Sequence, residues 1–247
     1  MQLPSSPLRV AILGDFDRGK HSHWATEAAL FHAAARLGVN VEPRWFETPR
    51  LEQEAALAEV AQCAGVWGAP GSPYRSATGM LQALRYVRER DLAFIGTCAG
   101  FQYALIELTR NVLGVADADS AENTPGGKNV VITPVQCEAP GPNAPRLSGE
   151  GVARVVPSTL LETLCGAIDL RSEYFCSFEV NPSFTTRWRE AGLRVAAIGG
   201  DGELRAFELS DKRFFIASLF QPQLSSSYAQ PHPIVLGFLK ECARRAG

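Results

Sequence analysis

The sequence predicts an α/β fold of three layers, in which a mostly parallel sheet lies between helices on both of its faces. Short apolar runs alternate along the chain with longer segments that place alanine and leucine at helical spacing. Most of these runs end in turns that contain glycine. Strands that alternate with helices in this way are typical of a parallel sheet covered on both faces.

The first half of the chain carries the alternation. Residues 8–13 form an apolar run that ends at Gly14, which is typical of a buried strand. Residues 23–37 have helical spacing and stop at Gly38, a common residue just beyond a helix. The other elements predicted in this half are strands at 39–46, 65–68 and 92–95, and helices at 51–63, 80–90 and 101–113.

The second half begins differently. Between about residues 117 and 148, proline, glycine and asparagine cluster in predicted loops around one strand at 129–135. Three more strands, at 193–198, 204–209 and 214–219, precede a closing helix at 233–245. Because the chain shows no internal repeat, low-complexity tract or linker, we expect residues 1–247 to form a single domain.

Composition excludes several classes of function. A net charge of −2 gives no electrostatic reason to expect nucleic acid or an anionic membrane as a partner. Residues 1–9 have no signal-peptide pattern and no stretch is apolar enough to span a membrane, so we expect a cytoplasmic protein. None of the six cysteines forms a C-x-x-C pair or has a histidine at zinc spacing. We therefore expect reduced thiols and neither a metal nor a cofactor.

One cysteine lies in a motif. Residues 96–100 read G-T-C-A-G and join a predicted strand to a predicted helix, which is the pattern of a nucleophile elbow. This turn would present Cys98 at the start of a helix, where the helix dipole favours a thiolate. The backbone N–H of Ala99 could then serve in an oxyanion hole. The simpler alternative is a buried cysteine in a turn flanked by glycines.

Residues 96–102, G-T-C-A-G-F-Q, resemble the elbow G-I-C-L-G-M-Q of the glutaminase domain of CTP synthase. Further ordered matches to that domain cover nearly the whole chain: A-D-S-A-E at 118–122, F-E-V-N-P at 178–182, F-Q-P-Q at 220–223 and P-H-P at 231–233. The resemblance implies a class I glutamine amidotransferase-like, flavodoxin-like fold that acts on an amide or amino-acid-like small molecule. The family's synthetase domain, which binds UTP and ATP, would need a longer chain.

The resemblance also shows departures from the family's catalytic residues. In the family, a histidine and a glutamate complete the triad within F-H-P-E, and here those positions are Gln221 and Gln223. A glutamine amide is neutral and cannot take the proton of a thiol. The family's arginine before F-E-V-N grips the carboxylate of glutamine, and its position here is Ser177. We therefore expect ordinary glutamine hydrolysis to be impaired.

Other features of the family's site are retained or only slightly changed. The oxyanion loop P-G-G reads Pro70, Gly71, Ser72, which keeps the N–H groups but restricts the backbone. Gln102 and Glu122 match residues that help to bind glutamine in the family. Cys137, Tyr174, Glu173 and Cys176 lie in segments that could also face the site, although packing or surface exposure is the simpler interpretation for each.

A charged loop follows the first predicted strand, at residues 14–23, and three interpretations stay open. It nearly fits a phosphate loop, but His21 replaces the hydroxyl residue that would bind a metal. It could be a solvated loop before the helix. It could also be a rebuilt active site, in which His21 or His23 is a base for Cys98 and Asp15 or Asp17 orients that base.

Three functions are consistent with these observations. The first is a cysteine enzyme that acts on an amide or related substrate with a base unlike the family's. The second is a pseudo-glutaminase that binds a ligand or regulates a partner. The third is a glutaminase subunit for a separate synthetase or acceptor protein, and Gln221, Gln223 and Ser177 count against it.

Overall fold

The computed structural model describes residues 6–135, 147–166 and 169–246. The strands are β1 Leu8–Leu13, β2 Val41–Phe46, β3 Gly65–Gly68, β4 Phe94–Thr97, β5 Asp119–Ser120, β6 Val130–Pro134, β7 Leu147–Val155, β8 Asp169–Cys176, β9 Phe178–Val180, β10 Leu193–Ile198, β11 Leu204–Leu209 and β12 Phe215–Ser218. The α-helices are α1 His21–Leu37, α2 Glu54–Ala61, α3 Ala77–Glu89, α4 Ala99–Asn111, α5 Leu160–Cys165, α6 Thr185–Glu190 and α7 Pro233–Ala246.

Nine of these strands form one sheet in the order β2-β1-β3-β4-β12-β11-β10-β7-β8. The pairs from β2 to β12 are parallel, and those from β12 to β8 are antiparallel. Helices flank the sheet, with α1 and α5 packed on α7 and α3 packed on α4. The predicted three-layer α/β fold is confirmed, but the sheet is mixed and only its first five strands are parallel.

The buried elements were predicted best. Strands β1, β3, β4 and β12 lie in the middle of the sheet and are almost wholly buried, so their apolar runs are continuous. Helix α1 ends at Gly38, whose φ of 68° lies in the left-handed region. The predicted helix at 51–63 is instead a 3-10 helix, Thr48–Glu52, followed by α2.

The hairpin β7–β8 was not predicted. It forms the antiparallel end of the nine-stranded sheet, and β8 is an edge strand. Strand β7 contains two glycines and mostly exposed residues, so it shows neither an apolar run nor a strict alternation. The short elements β9, α5 and α6 were missed for a related reason, since each is six residues long or shorter.

The parallel strands bring four loops to one edge of the sheet. Because β1, β3, β4 and β12 run in the same direction, the segments that follow them meet at their carboxyl ends. These segments are the charged loop at 14–20, the Pro70–Ser72 loop, the elbow and residues 219–224. None of the described helices is both long and apolar enough to cross a membrane.

Candidate active site

Cys98 occupies a strained turn between β4 and α4. Its backbone has φ 50° and ψ −106°, a conformation that side chains with a Cβ rarely adopt. Its backbone N–H donates to the carbonyl oxygen of Ser218 at 2.9 Å, which ties the turn to β12. Strain of this kind persists where the surrounding structure holds it, and it is typical of nucleophile elbows.

The glycine two residues beyond Cys98 is required by a close approach between backbones. A Cβ placed on Gly100 would lie 2.1 Å from the carbonyl oxygen of Gly68 at the end of β3. The first turn of α4 therefore packs directly on the neighbouring strand. This contact explains the final glycine of the motif in physical terms and fixes where α4 begins.

The thiol of Cys98 faces a second thiol, that of Cys176 at the end of β8. The two side chains lie within hydrogen-bonding reach of each other. The Cys98 sulfur also lies 3.8 Å from the carbonyl oxygen of Phe175, the residue before Cys176. The end of the hairpin that the sequence did not predict therefore reaches the elbow.

Gln102 and Glu122 surround this pair of thiols. The amide Nε2 of Gln102 donates to the Cys176 sulfur and to the carbonyl oxygen of Phe178, both at 3.2 Å. The carboxylate of Glu122 is near enough to act electrostatically on both sulfurs. Gln102, assigned from the resemblance to substrate binding, thus has its amide N–H groups engaged by the chain itself.

The two thiols differ in acidity. The pKa of Cys98 is raised well above its ordinary value by the hydrogen bond with Cys176 and by burial, and the N–H of Ala99 opposes these effects. The pKa of Cys176 is lowered, first by the hydrogen bond with Cys98; burial opposes this effect, and contacts at Phe178 and Gln102 add to it. These shifts oppose the expected thiolate at Cys98 and favour Cys176 as the place for the negative charge.

His23 is a structural residue in this fold. It is fully buried, its Nδ1 accepts the backbone N–H of Asp17 at 2.9 Å, and its Nε2 lies 3.0 Å from the carbonyl oxygen of Pro70. With Nδ1 accepting, the ring is neutral and Nε2 is the donor. Burial lowers the pKa of His23, in agreement with a neutral ring. His23 therefore joins the charged loop to the Pro70–Ser72 loop, and neither ring nitrogen remains for Cys98.

The rest of the charged loop does not form a rebuilt site either. His21 is exposed at the first residue of α1. The carboxylate of Asp15 accepts the backbone N–H groups of Thr48 and Arg75, at 2.9 and 2.8 Å. Asp17 accepts the N–H of Gly19 at 2.8 Å. The proposal that His21 or His23 replaces the family's base is therefore corrected: the loop is held by its own contacts, and no histidine among the described residues bonds to Cys98.

The Pro70–Ser72 loop stays a predicted oxyanion loop. Gly71 has φ 107°, which favours glycine, and a Cβ there would lie 2.9 Å from Nε2 of His23. Ser72 is half-buried beside it. Ala99 provides the second predicted N–H, which is close enough to the Cys98 sulfur to lower the pKa of that thiol.

We expect His23→Ala to destabilise the protein by about 2–4 kcal/mol, because it leaves the Asp17 N–H and the Pro70 carbonyl unpaired. His21→Ala should change the free energy of unfolding by less than about 0.5 kcal/mol. Because the folded pKa of His23 is below the ordinary 6.5, its contribution is complete above pH 6.5 and is lost as the pH falls. Urea unfolding of both variants at pH 7.5 and 5.5 measures this, and equal stabilities would contradict the structural role.

Gln221 and Gln223 are both buried in the segment after β12. The amide of Gln223 donates to Oε1 of Gln221 at 3.1 Å, and the backbone N–H of Gln221 donates to the carbonyl oxygen of Glu173 on β8 at 2.9 Å. The Oε1 of Gln223 is buried without a hydrogen-bond partner among the described residues. The pair keeps the mutual contact of a base and its orienting group but contains no group that can take a proton at neutral pH.

Ser177 lies in the bend between β8 and β9, where its carbonyl oxygen accepts the N–H of Val135.

In the described part of the chain, no group of three or more His, Cys, Asp or Glu side chains could hold a metal ion. Cys137 falls outside the described residues. The sequence interpretation favoured packing or surface exposure for Cys176, although the structure places it beside Cys98. The F-E-V-N match that begins two residues later could have indicated that Cys176 lies near the site.

A family model described as class I glutamine amidotransferase matches residues 23–154, which include the elbow but not residues 221–223. The CTP synthase of Saccharolobus solfataricus is 31% identical over 243 residues, which cover 96% of this chain and 45% of that protein. The CTP synthase of Methanopyrus kandleri is 31% identical over 241 residues, with the same shares covered. This chain spans about half the length of the curated relatives it matches.

A solved structure has the same fold. The glutaminase domain of Trypanosoma brucei CTPS with bound acivicin superposes with a TM-score of 0.86 at 24% identity. The match covers 96% of this chain and 94% of that one.

Proposed function

This chain belongs to the class I glutamine amidotransferase family, and we propose that it uses Cys98 as a nucleophile on an amide or related substrate while it hydrolyses glutamine poorly. The observation that carries this proposal is the strained elbow. Cys98 keeps φ 50° at the start of α4, a conformation that costs free energy and has no evident use in packing. The adjacent N–H of Ala99 suits an oxyanion that forms on the substrate.

Poor hydrolysis of glutamine follows from the groups that surround the elbow. Gln221 and Gln223 cannot act as base and carboxylate, and the absence of a general base commonly costs about 10²–10⁴ in rate. Ser177 offers no positive charge to the carboxylate of glutamine. These features favour a neutral or cationic amide over glutamine.

Cys176 is the group best placed to take the proton of Cys98. A proton passed from Cys98 to the Cys176 thiolate would generate the nucleophile at the elbow; because the pKa of Cys98 is raised and that of Cys176 is lowered, this transfer is uphill, which is consistent with slow turnover. The sulfur of Cys98 would then bond to the carbonyl carbon, and the protonated Cys176 could return the proton to the leaving nitrogen. Cys176 thus replaces His21 and His23 as the proposed non-family base.

We expect ammonia release from glutamine at well below about 1 s⁻¹, the lower end of typical turnover. Cys98→Ser should abolish any release, whereas Cys165→Ser, at a cysteine with no described partner at the site, should leave it unchanged. Coupled ammonia assays with glutamine and a series of neutral and cationic primary amides measure this. Turnover of glutamine at roughly 1–10³ s⁻¹ would contradict the impaired hydrolysis.

A second function, a pseudo-glutaminase that binds a ligand without turnover, is favoured by the unpartnered Oε1 of Gln223. Acivicin, which the trypanosomal domain binds, can be used to distinguish an active nucleophile from a pseudo-glutaminase. Mass spectrometry after incubation should detect an adduct at Cys98 if the nucleophile is active. Reversible binding by calorimetry without any adduct or ammonia from any amide would favour the pseudo-glutaminase. A separate synthetase or acceptor protein as partner stays a prediction.

A further inference from the structure

The pair formed by Cys98 and Cys176 has a chemistry that amide cleavage does not need. Two thiols from distant parts of the chain lie side by side, one on the elbow and one at the end of an edge strand. The Cys98 sulfur lies 3.8 Å from the carbonyl oxygen of Phe175, and Gln102, one turn further along α4, contacts the Cys176 sulfur at 3.2 Å. A disulfide has an S–S bond of about 2.05 Å, so the two neighbouring sulfurs must leave these contacts and move together to form it. Cys176 ends β8 just before the bend at Ser177, where the backbone leaves the ladder with β7.

The surroundings of the pair suit a reactive thiolate. The Gln102 amide donates to the Cys176 sulfur at 3.2 Å, and a hydrogen bond with Cys98 lowers the pKa of Cys176. In its protonated form the Cys176 thiol donates to the carbonyl oxygen of Phe178 at 3.0 Å. Both cysteines are buried, with 6% of each residue's surface accessible, so an oxidant that reaches them must be as small as hydrogen peroxide. Hydrogen-bonded thiolates beside a resolving thiol are the usual sites of reversible cysteine oxidation.

The other described cysteines differ. Cys63 and Cys242 are buried and their pKa values are raised by burial, while the Cys63 thiol is directed at the carbonyl oxygen of Glu59. Cys165 has its pKa raised to about 11 by burial alone. Cys63 also acts electrostatically on Cys242, but both of these thiols have raised pKa values, whereas the pKa of Cys176 is lowered.

We propose that Cys98 and Cys176 form a redox-active dithiol that hydroperoxides oxidise to a reversible intramolecular disulfide. The Cys176 thiolate attacks one oxygen of the peroxide, so an S–O bond forms and the O–O bond breaks. The released hydroxide or alkoxide takes up one proton as water or an alcohol. Cys98 then attacks the sulfenic sulfur, the S–S bond forms, and the S–O oxygen leaves as water with the Cys98 proton.

In total, two thiols and one hydroperoxide react to give one disulfide, one water molecule from the sulfenic acid, and one molecule of water or alcohol from the peroxide. A dithiol reductant reverses it by thiol–disulfide exchange. Oxidation removes Cys98 as a nucleophile, so the disulfide would also switch off any amide chemistry at the elbow. The redox step itself does not depend on that chemistry, and either proposal can fail without the other.

The test is peptide mapping of the full chain after treatment with one equivalent of hydrogen peroxide. We expect the loss of two thiols per chain, a non-reduced peptide that joins Cys98 to Cys176, and full recovery of both thiols with dithiothreitol. Cys98→Ser should instead accumulate a sulfenic acid at Cys176 that dimedone traps, and Cys165→Ser should behave like the wild type.

Three results would overturn the proposal. They are a disulfide that joins Cys98 to Cys137, a disulfide between two chains, or irreversible oxidation of Cys98 with Cys176 still reduced. The mapping of the wild-type protein decides between these outcomes even if a serine variant fails to fold. Ammonia release measured on the same reduced and oxidised samples reports separately on the amide proposal.

Discussion

The double replacement Gln221→His with Gln223→Glu is expected to raise ammonia release from glutamine by about 10²-fold or more, the usual contribution of a general base. The resemblance to CTP synthase places the base and its carboxylate at these positions. The two side chains already contact each other, with 3.1 Å between Nε2 of Gln223 and Oε1 of Gln221. A glutamate at 223 could therefore hold an imidazole at 221 in a single orientation and balance its charge.

Single replacements separate catalysis from packing. Gln223→Glu alone buries a carboxylate beside a neutral amide, so we expect lower stability and no gain in rate. Gln221→His alone should give a smaller gain, because nothing orients the ring. Adding Ser177→Arg to the double variant should lower the KM for glutamine rather than raise kcat, since it restores a partner for the substrate carboxylate. A folded double variant that is no faster than the wild type would show that the family's geometry is not preserved at residue 221.

The central elements of the fold were predictable because they are buried on both faces. The continuous apolar runs of β1, β3, β4 and β12 are typical of strands buried on both faces. Gly14, Gly38, Gly96 and Gly100 mark where the chain turns. The elbow followed from the same pattern, since a short buried strand, a G-x-C-x-G turn and a helix occur in order. Local sequence alone therefore placed Cys98 at the sheet edge.

The partner of Cys98 could not be predicted in this way. Cys176 reaches the elbow because the β7–β8 hairpin extends the sheet on its antiparallel side. The sequence of β7 has no hydrophobic periodicity that would predict a strand. The contact joins residues that are far apart in sequence, which no local pattern can encode. The pKa of each thiol depends on that contact, so local sequence could not predict which of the two is more acidic.

The charged loop at residues 14–23 was predicted to be a possible catalytic site, but its polar side chains hold the loop in place. Two histidines and two aspartates near the sheet edge suggested a catalytic site, but each described side-chain hydrogen bond of Asp15, Asp17 and His23 is with backbone of the same or a neighbouring loop, or with Thr48. Loops at the edge of a sheet have many backbone groups that helices and strands do not satisfy. Polar side chains are then needed to satisfy them before any are left for a substrate.

The elbow also allows a stability prediction. Gly100→Ala is expected to lower the free energy of unfolding by about 3 kcal/mol, the upper end of the usual cost of overpacking. The added Cβ would lie 2.1 Å from the carbonyl oxygen of Gly68, and both atoms belong to backbone that cannot rotate away. For a chain of this length, that loss corresponds to a fall in Tm of roughly 6–12 °C.

Gly200→Ala is the matched control, since a Cβ there meets no atom within 4 Å and its φ is not in the left-handed region. Its Tm should stay within about 2 °C of the wild type. Because α4 must move away from β3 to accommodate the added methyl group, the Gly100→Ala variant should also lose the contact between Cys98 and Cys176. We therefore expect slower disulfide formation with peroxide in that variant, measured below its Tm. A Gly100→Ala protein with unchanged Tm and unchanged disulfide formation would show that α4 does not pack on β3 as closely as described.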